Sequence, residues 1–102
     1  MVNFNVEENI TKDKTLLCSF SERMDTVNCQ KIEDEVFDKV RELKMPVIFD
    51  LENVDYIASM FIRLCLWTAK EVELENFSIV NVHPNVKKVF MLAGLNNQLN
   101  IQ

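Results

Sequence analysis

Three features of the sequence predict an α/β fold, a mixed four- to five-stranded sheet with helices packed mainly on one side. Phe4 and Val6, then Leu16, Cys18 and Phe20, alternate with polar residues on either side of turn material, which is the pattern of an antiparallel hairpin. From Thr26 the spacing of apolar residues lengthens to three or four, the period of a helix. Strand-like and helix-like segments then alternate to the end, an order that calls for parallel strands joined by right-handed crossovers.

Taken in order, Phe4 and Val6 belong to an edge or near-edge strand, and the segment from Glu7 to Lys14 reverses the chain into the strand of Leu16, Cys18 and Phe20. Cys29, Ile32, Val36, Val40 and Leu43 then form the buried stripe of an amphipathic helix over about residues 27 to 44. Asp25 is placed to cap its start, Lys44 suits its C-terminal end, and Pro46 forbids its continuation. Val47, Ile48 and Phe49 make an apolar run between Pro46 and Asp50, as in a central strand covered on both faces. Leu51 to Tyr56 mixes apolar and turn-forming residues. Ser59 stands just before Met60, Phe61, Ile62, Leu64, Cys65, Leu66 and Trp67, so it is the expected N-cap of a second helix that is apolar nearly all round its first three turns. Phe77, Ile79 and Val80 read as the next strand, and 81 to 85 as a loop containing Pro84. Val86, Val89, Phe90 and Ala93 mark a third helix, with Gly94, the one glycine in the chain, placed for a left-handed C-terminal cap. Leu99 and Ile101 suit either a short strand or a docked tail.

A chain of 102 residues, nearly half of them apolar, supports one hydrophobic core and therefore one domain, residues 1–102. A net charge of −5 gives no electrostatic footprint for nucleic acid or an anionic membrane surface. Met1 to Glu8 lacks the basic start and apolar run of a signal peptide, and no apolar stretch has the length of a membrane span, so a cytoplasmic location is expected. Cys18, Cys29 and Cys65 are odd in number and widely spaced, which fits buried thiols better than a disulfide framework or a metal site.

The stretch from Asp50 to Leu64 resembles the central motif of STAS domains, whose pattern reads approximately D-L-S-x-V-x-Y-I-D-S-S-G-L-x-x-L. Asp50, Leu51, Val54, Tyr56, Ile57, Ser59 and Leu64 match it, and Ile62 replaces its leucine. Ala58 stands in place of Asp, Met60 in place of a second Ser or Thr, and Phe61 in place of Gly. Glu22-Arg23-Met24-Asp25 takes the place of a G-R-L-D-like sequence without its glycine, and Val82-His83-Pro84 through Ala93-Gly94-Leu95 follows the family's C-terminal order. The resemblance extends over essentially the whole chain and implies a single STAS-like domain. Bacterial anti-sigma factor antagonists are the best-known members of that family, and the resemblance to them implies a non-enzymatic regulator of transcription that works by partner switching.

In those relatives the serine at the position of Ser59 is phosphorylated by a partner, an anti-sigma factor that is also a serine kinase. The resemblance thus implies Ser59 as a phosphorylation site and Asp25, Ala58, Ser59, Met60 and Phe61 as partner-binding residues. A phenylalanine at 61 is expected to add bulk over the serine, where a glycine would leave it open to a kinase. Met60 and Phe61 admit two placements, in the core or in an exposed apolar patch, and the second would favour a homodimer or a permanent complex. Two other functions stay open: a scaffold or complex subunit without phosphorylation, and a module binding a nucleotide or lipid.

Nothing in the residues themselves composes a catalytic or metal site, and no cofactor is expected. One glycine cannot build a phosphate-binding loop. His83, the lone histidine, reads as a structural or solvated loop residue, and Glu33, Asp34, Glu35 and Asp38 as a solvated helix face.

Overall fold

The structure, a computed structural model, describes all residues from Met1 to Gln102. Strands β1 (Val2–Glu8), β2 (Lys14–Ser21), β3 (Val47–Asn53) and β4 (Phe77–Val80) form one sheet in the order β1-β2-β3-β4. β1 and β2 are the expected antiparallel hairpin, with Phe4 opposite Cys18, while β2 to β3 and β3 to β4 run parallel. Helix α1 (Thr26–Leu43) connects β2 to β3, helix α2 (Ser59–Val72) leads towards β4, and helix α3 (Pro84–Leu92) follows it. The C-terminal tail docks as a fragment of a fifth strand. Ile101 bridges Ile79 in parallel, the Ile79 N–H donates to the carbonyl of Asn100 at 2.8 Å, and the Gln102 N–H donates to the carbonyl of Ile79 at 2.8 Å.

The alternation of each strand decides which face carries the core. Leu16, Cys18 and Phe20 of β2, Val47, Phe49 and Leu51 of β3, and Phe77 and Ile79 of β4 all point to one side, where they are buried. There they meet Cys29, Ile32, Val36 and Val40 of α1, Phe61, Leu64 and Cys65 of α2, and Val86 and Phe90 of α3 in one continuous core. At its centre Phe20 meets Phe49 and Phe61 edge-on, at ring separations of 4.8 and 5.1 Å, and Phe77 meets Phe49 at 4.9 Å. Leu17, Ile48 and Val80 lie on the opposite face, half-buried and outside that core. This corrects one expectation. β3 is central, but it is covered on one face only, and it continues through Asn53 into the segment read as a turn.

The helix ends follow local chemistry. Asp25 caps α1 as expected, its Oδ1 accepting the Asn28 N–H at 2.9 Å, and Lys44 closes that helix in a left-handed conformation at φ 48°. Pro84, assigned to a loop, is instead the first residue of α3, where its missing N–H costs nothing. Gly94, at φ 76°, ends α3 in a Schellman arrangement in which its N–H donates to Met91 O at 2.9 Å and the Leu95 N–H to Phe90 O at 2.9 Å. Leu95 is buried beneath that turn.

Candidate functional site

The residues before α2 alternate between anchors and surface. Val54, Ile57 and Phe61 are buried, while Asp55, Tyr56 and Ser59 are exposed, so the segment is fastened from below and displays its polar members. Asp50 starts the arrangement, its Oδ1 accepting the Glu52 N–H at 3.0 Å and the Asn81 side-chain amide at 3.1 Å. That carboxylate ties the middle of β3 to the residue that follows β4.

Two neighbouring segments then clamp the loop from opposite flanks. On one side the Met24 N–H donates to Tyr56 O at 2.9 Å and the Ala58 N–H to Met24 O at 2.9 Å, and the Arg23 guanidinium lies 4.1 Å from the centre of the Tyr56 ring. On the other side the start of α3 reaches over. The Nε2 of His83 bonds the carbonyl of Glu52, which requires that nitrogen to carry the proton, and the Asn85 side-chain amide donates to Asp55 O at 2.6 Å. The family-like E-R-M-D turn and the His83-Pro84-Asn85 corner are thus the two supports of the Ser59 loop.

Ser59 itself is one residue further into the helix than the sequence suggests. Ala58 is the N-cap of α2, with extended φ and ψ of −99° and 169°, and no side chain accepts a hydrogen bond there. Ser59 is the first helical residue, exposed, and its hydroxyl makes no hydrogen bond within the chain. The expectation of a capping Ser59 is therefore corrected. The aspartate that the STAS pattern places at position 58 would occupy the cap, and alanine there leaves the backbone donors of the first turn without a side-chain acceptor.

The other expected partner-binding residues separate. Asp25, Ala58 and Met60 are half-buried around Ser59's end of α2, and Asp25 also serves as the cap of α1. Phe61 is fully buried against Phe20 and 6.1 Å from Phe49, so it offers no contact surface and does not shield Ser59. The anticipated obstruction of the serine is absent because position 61 points inward. Of the two placements open to Met60 and Phe61, the core holds for Phe61, and Met60 is half-buried against that core.

The stacking of Arg23 on Tyr56 and the loop-holding roles of His83 and Asn85 leave no local signal in the sequence, since they depend on segments about 30 residues apart meeting in space. Glu22, which occupies the place of the pattern's glycine, adopts φ 70°, the left-handed region that a glycine would enter without strain. The three cysteines are free and buried as expected. Burial pushes the Cys18 thiol up to about 12, and burial, then the nearby Asp25 and Glu33 carboxylates, push Cys29 up to about 11. Burial holds the Cys65 thiol well above the ordinary thiol range as well. None is an activated nucleophile.

The profile of the STAS domain matches residues 5–102 of this chain. The protein belongs to the STAS domain family. Among curated STAS relatives, BtrV of Bordetella bronchiseptica, described as a candidate anti-sigma factor antagonist, is 27% identical over 84 residues, covering 80% of this chain and 72% of BtrV. An anti-sigma factor antagonist from Mycobacterium paratuberculosis superposes with a TM-score of 0.78 at 20% identity, covering 99% of this chain and 85% of that one. The anti-sigma factor antagonist SpoIIAA in its unphosphorylated form superposes with a TM-score of 0.71 at 20% identity, covering 98% of this chain and 88% of that one. SpoIIAA of Bacillus is also known in a phosphorylated form, which superposes with a TM-score of 0.64 at 19% identity, covering 98% of this chain and 91% of that one. No helix of this STAS domain is long and apolar enough to cross a membrane.

Proposed function

We propose that this STAS domain is an anti-sigma factor antagonist whose binding surface is centred on Ser59 and is switched by phosphorylation of that residue. The partner in this reading is a serine-kinase-type anti-sigma factor, and the domain acts in the cytoplasm as a binding regulator, not as an enzyme. The observation that carries the reading is the placement of Ser59, exposed and unbonded at the head of α2, on a loop clamped from both sides. A hydroxyl so held is presented to a kinase without local unfolding. That SpoIIAA exists in unphosphorylated and phosphorylated forms on the same fold supports it.

In the transfer, the γ-phosphoryl group of ATP moves to the Ser59 oxygen, ADP leaves, and the hydroxyl proton passes to a base of the kinase. The product carries a charge of about −1.5 to −2 at the centre of the contact surface. Asp25 and Met60 flank that centre, so a partner packed there meets a desolvated dianion beside an existing carboxylate. Association is lost while the fold is retained, because the positive end of α2 tolerates the charge.

The test uses the wild-type chain and Ser59→Glu as paired baits in lysate of the native host. The expected result is an ATP-binding anti-sigma factor held by the wild type and lost by the variant. Retention of the same partners by both baits would contradict the switch and favour a scaffold whose serine goes unmodified.

A further inference from the structure

Beside Ser59 the two long helices enclose a shallow cleft of about 250 Å³, lined by Glu33 and Phe37 of α1 and by Met60, Arg63, Leu66 and Trp67 of α2. Phe37 and Trp67 pack across it at a ring separation of 4.3 Å. Glu33 and Arg63 are its only charged groups, and neither is engaged, since the ion pairs of the molecule are Lys39–Glu42 and Arg41–Glu71, each at 3.8 Å. Arg63 is exposed and makes no side-chain hydrogen bond.

Ser59 and Arg63 are four residues apart in α2, so they stand one above the other on the same face. Helical side chains lean towards the N-terminus, which lays the long stem of Arg63 over the turn that carries Ser59. We infer that Arg63 receives the phosphoryl group of Ser59 within the same chain, forming a charge-assisted pair along α2 that draws the guanidinium away from the cleft. The inference rests on the phosphorylation of Ser59 proposed above. A planar guanidinium presents paired donors that match phosphate oxygens, and nothing else on that face competes for them except Glu33 across the cleft.

Modification then changes the surface twice. It adds a dianion at position 59, and it draws off the one cation that lines the cleft, leaving Glu33 as the only charge in that lining, with the Arg41 guanidinium outside it, 5.1 Å from the Trp67 ring. A partner that places an acidic residue against Arg63 and an apolar one over the Phe37–Trp67 pair loses its ion pair as well as meeting the phosphate. The switch is therefore steeper than the added charge alone would make it.

The test installs phosphoserine at position 59 during synthesis of the full chain, so it does not depend on any kinase. The ³¹P shift is titrated between pH 4.5 and 8 for the otherwise wild-type chain and for Arg63→Gln and Arg63→Lys, after circular dichroism has shown all three folded. The expected result is a second phosphate ionisation lower in the wild type than in Arg63→Gln by roughly 0.2–0.4 pH unit, with Arg63→Lys between them. Coincident or reversed midpoints in wild type and Arg63→Gln overturn the inference. A kinase that ignores Ser59 would sink the switch reading and leave this titration unchanged, so the two failures are distinct.

Discussion

Phe61 and Ser59 are two residues apart, and the helix sends them to opposite environments. Phe61 completes the aromatic centre of the core, so Phe61→Ala is expected to cost about 3–5 kcal/mol, read from the urea midpoint at constant slope. Ser59→Ala is expected to stay within about 0.5 kcal/mol of wild type, because the hydroxyl bonds nothing. Asp25→Ala, by contrast, removes a real cap and should cost about 1 kcal/mol. The same denaturation series therefore separates the residue that holds a helix from the residue that is free to be modified. A Ser59→Ala loss as large as that of Asp25→Ala would place the cap back on the serine. The sequence motif points to both residues equally; the difference lies in one residue of helix register, which a preference for serine over alanine at the cap misjudges.

At the scale of elements, α2 starts without a side-chain cap and ends at Glu73 with φ 74° and ψ 146°, a backbone conformation that suits glycine. Ala58→Asp supplies the missing acceptor and is expected to stabilise by about 1 kcal/mol. Glu73→Gly relieves the strain at the other end and is expected to stabilise by a similar amount, about 1 kcal/mol, with melting temperature as the readout for both. The periodic elements were legible because their patterns are strong. The stripe Cys29, Ile32, Val36 and Val40 allows only one rotation of α1, and Gly94 admits one role. Val47, Ile48 and Phe49 misled because a parallel strand usually lies between two layers of helices, whereas all three helices here share one core on one face. Pro84 is equally at home in a loop and at the first position of a helix, so the sequence alone does not distinguish the loop from the start of α3. Of the site, Ser59, Tyr56 and Asp25 could be found by motif. Its supports at His83 and Asn85 could not, since they arise only when α3 folds back on the loop after β3.

For the whole molecule, the core that positions Ser59 also seals the three thiols. Raised native pKa values mean that the unfolded chain gives up its thiol protons first. Stability is therefore full below about pH 9 and falls as pH rises through about 11 to 12, where Cys29 and then Cys18 would ionise in the native state. Urea midpoints measured from pH 7.5 to 10.5 should decline above pH 9, and a flat profile would mean that the thiols are open to solvent. In the native state at pH 8 none of the three should react promptly with a thiol reagent.

In the proposed switch the STAS domain displays Ser59 for a reversible contact. Once the anti-sigma factor has been captured, the deciding measurement is its calorimetric titration with the unmodified chain and with the chain carrying phosphoserine at 59. The unmodified chain is expected to bind, and the phosphate to weaken the affinity about 100-fold or more. Equal affinities would contradict the switch and leave Ser59 an ordinary surface residue at the head of a helix.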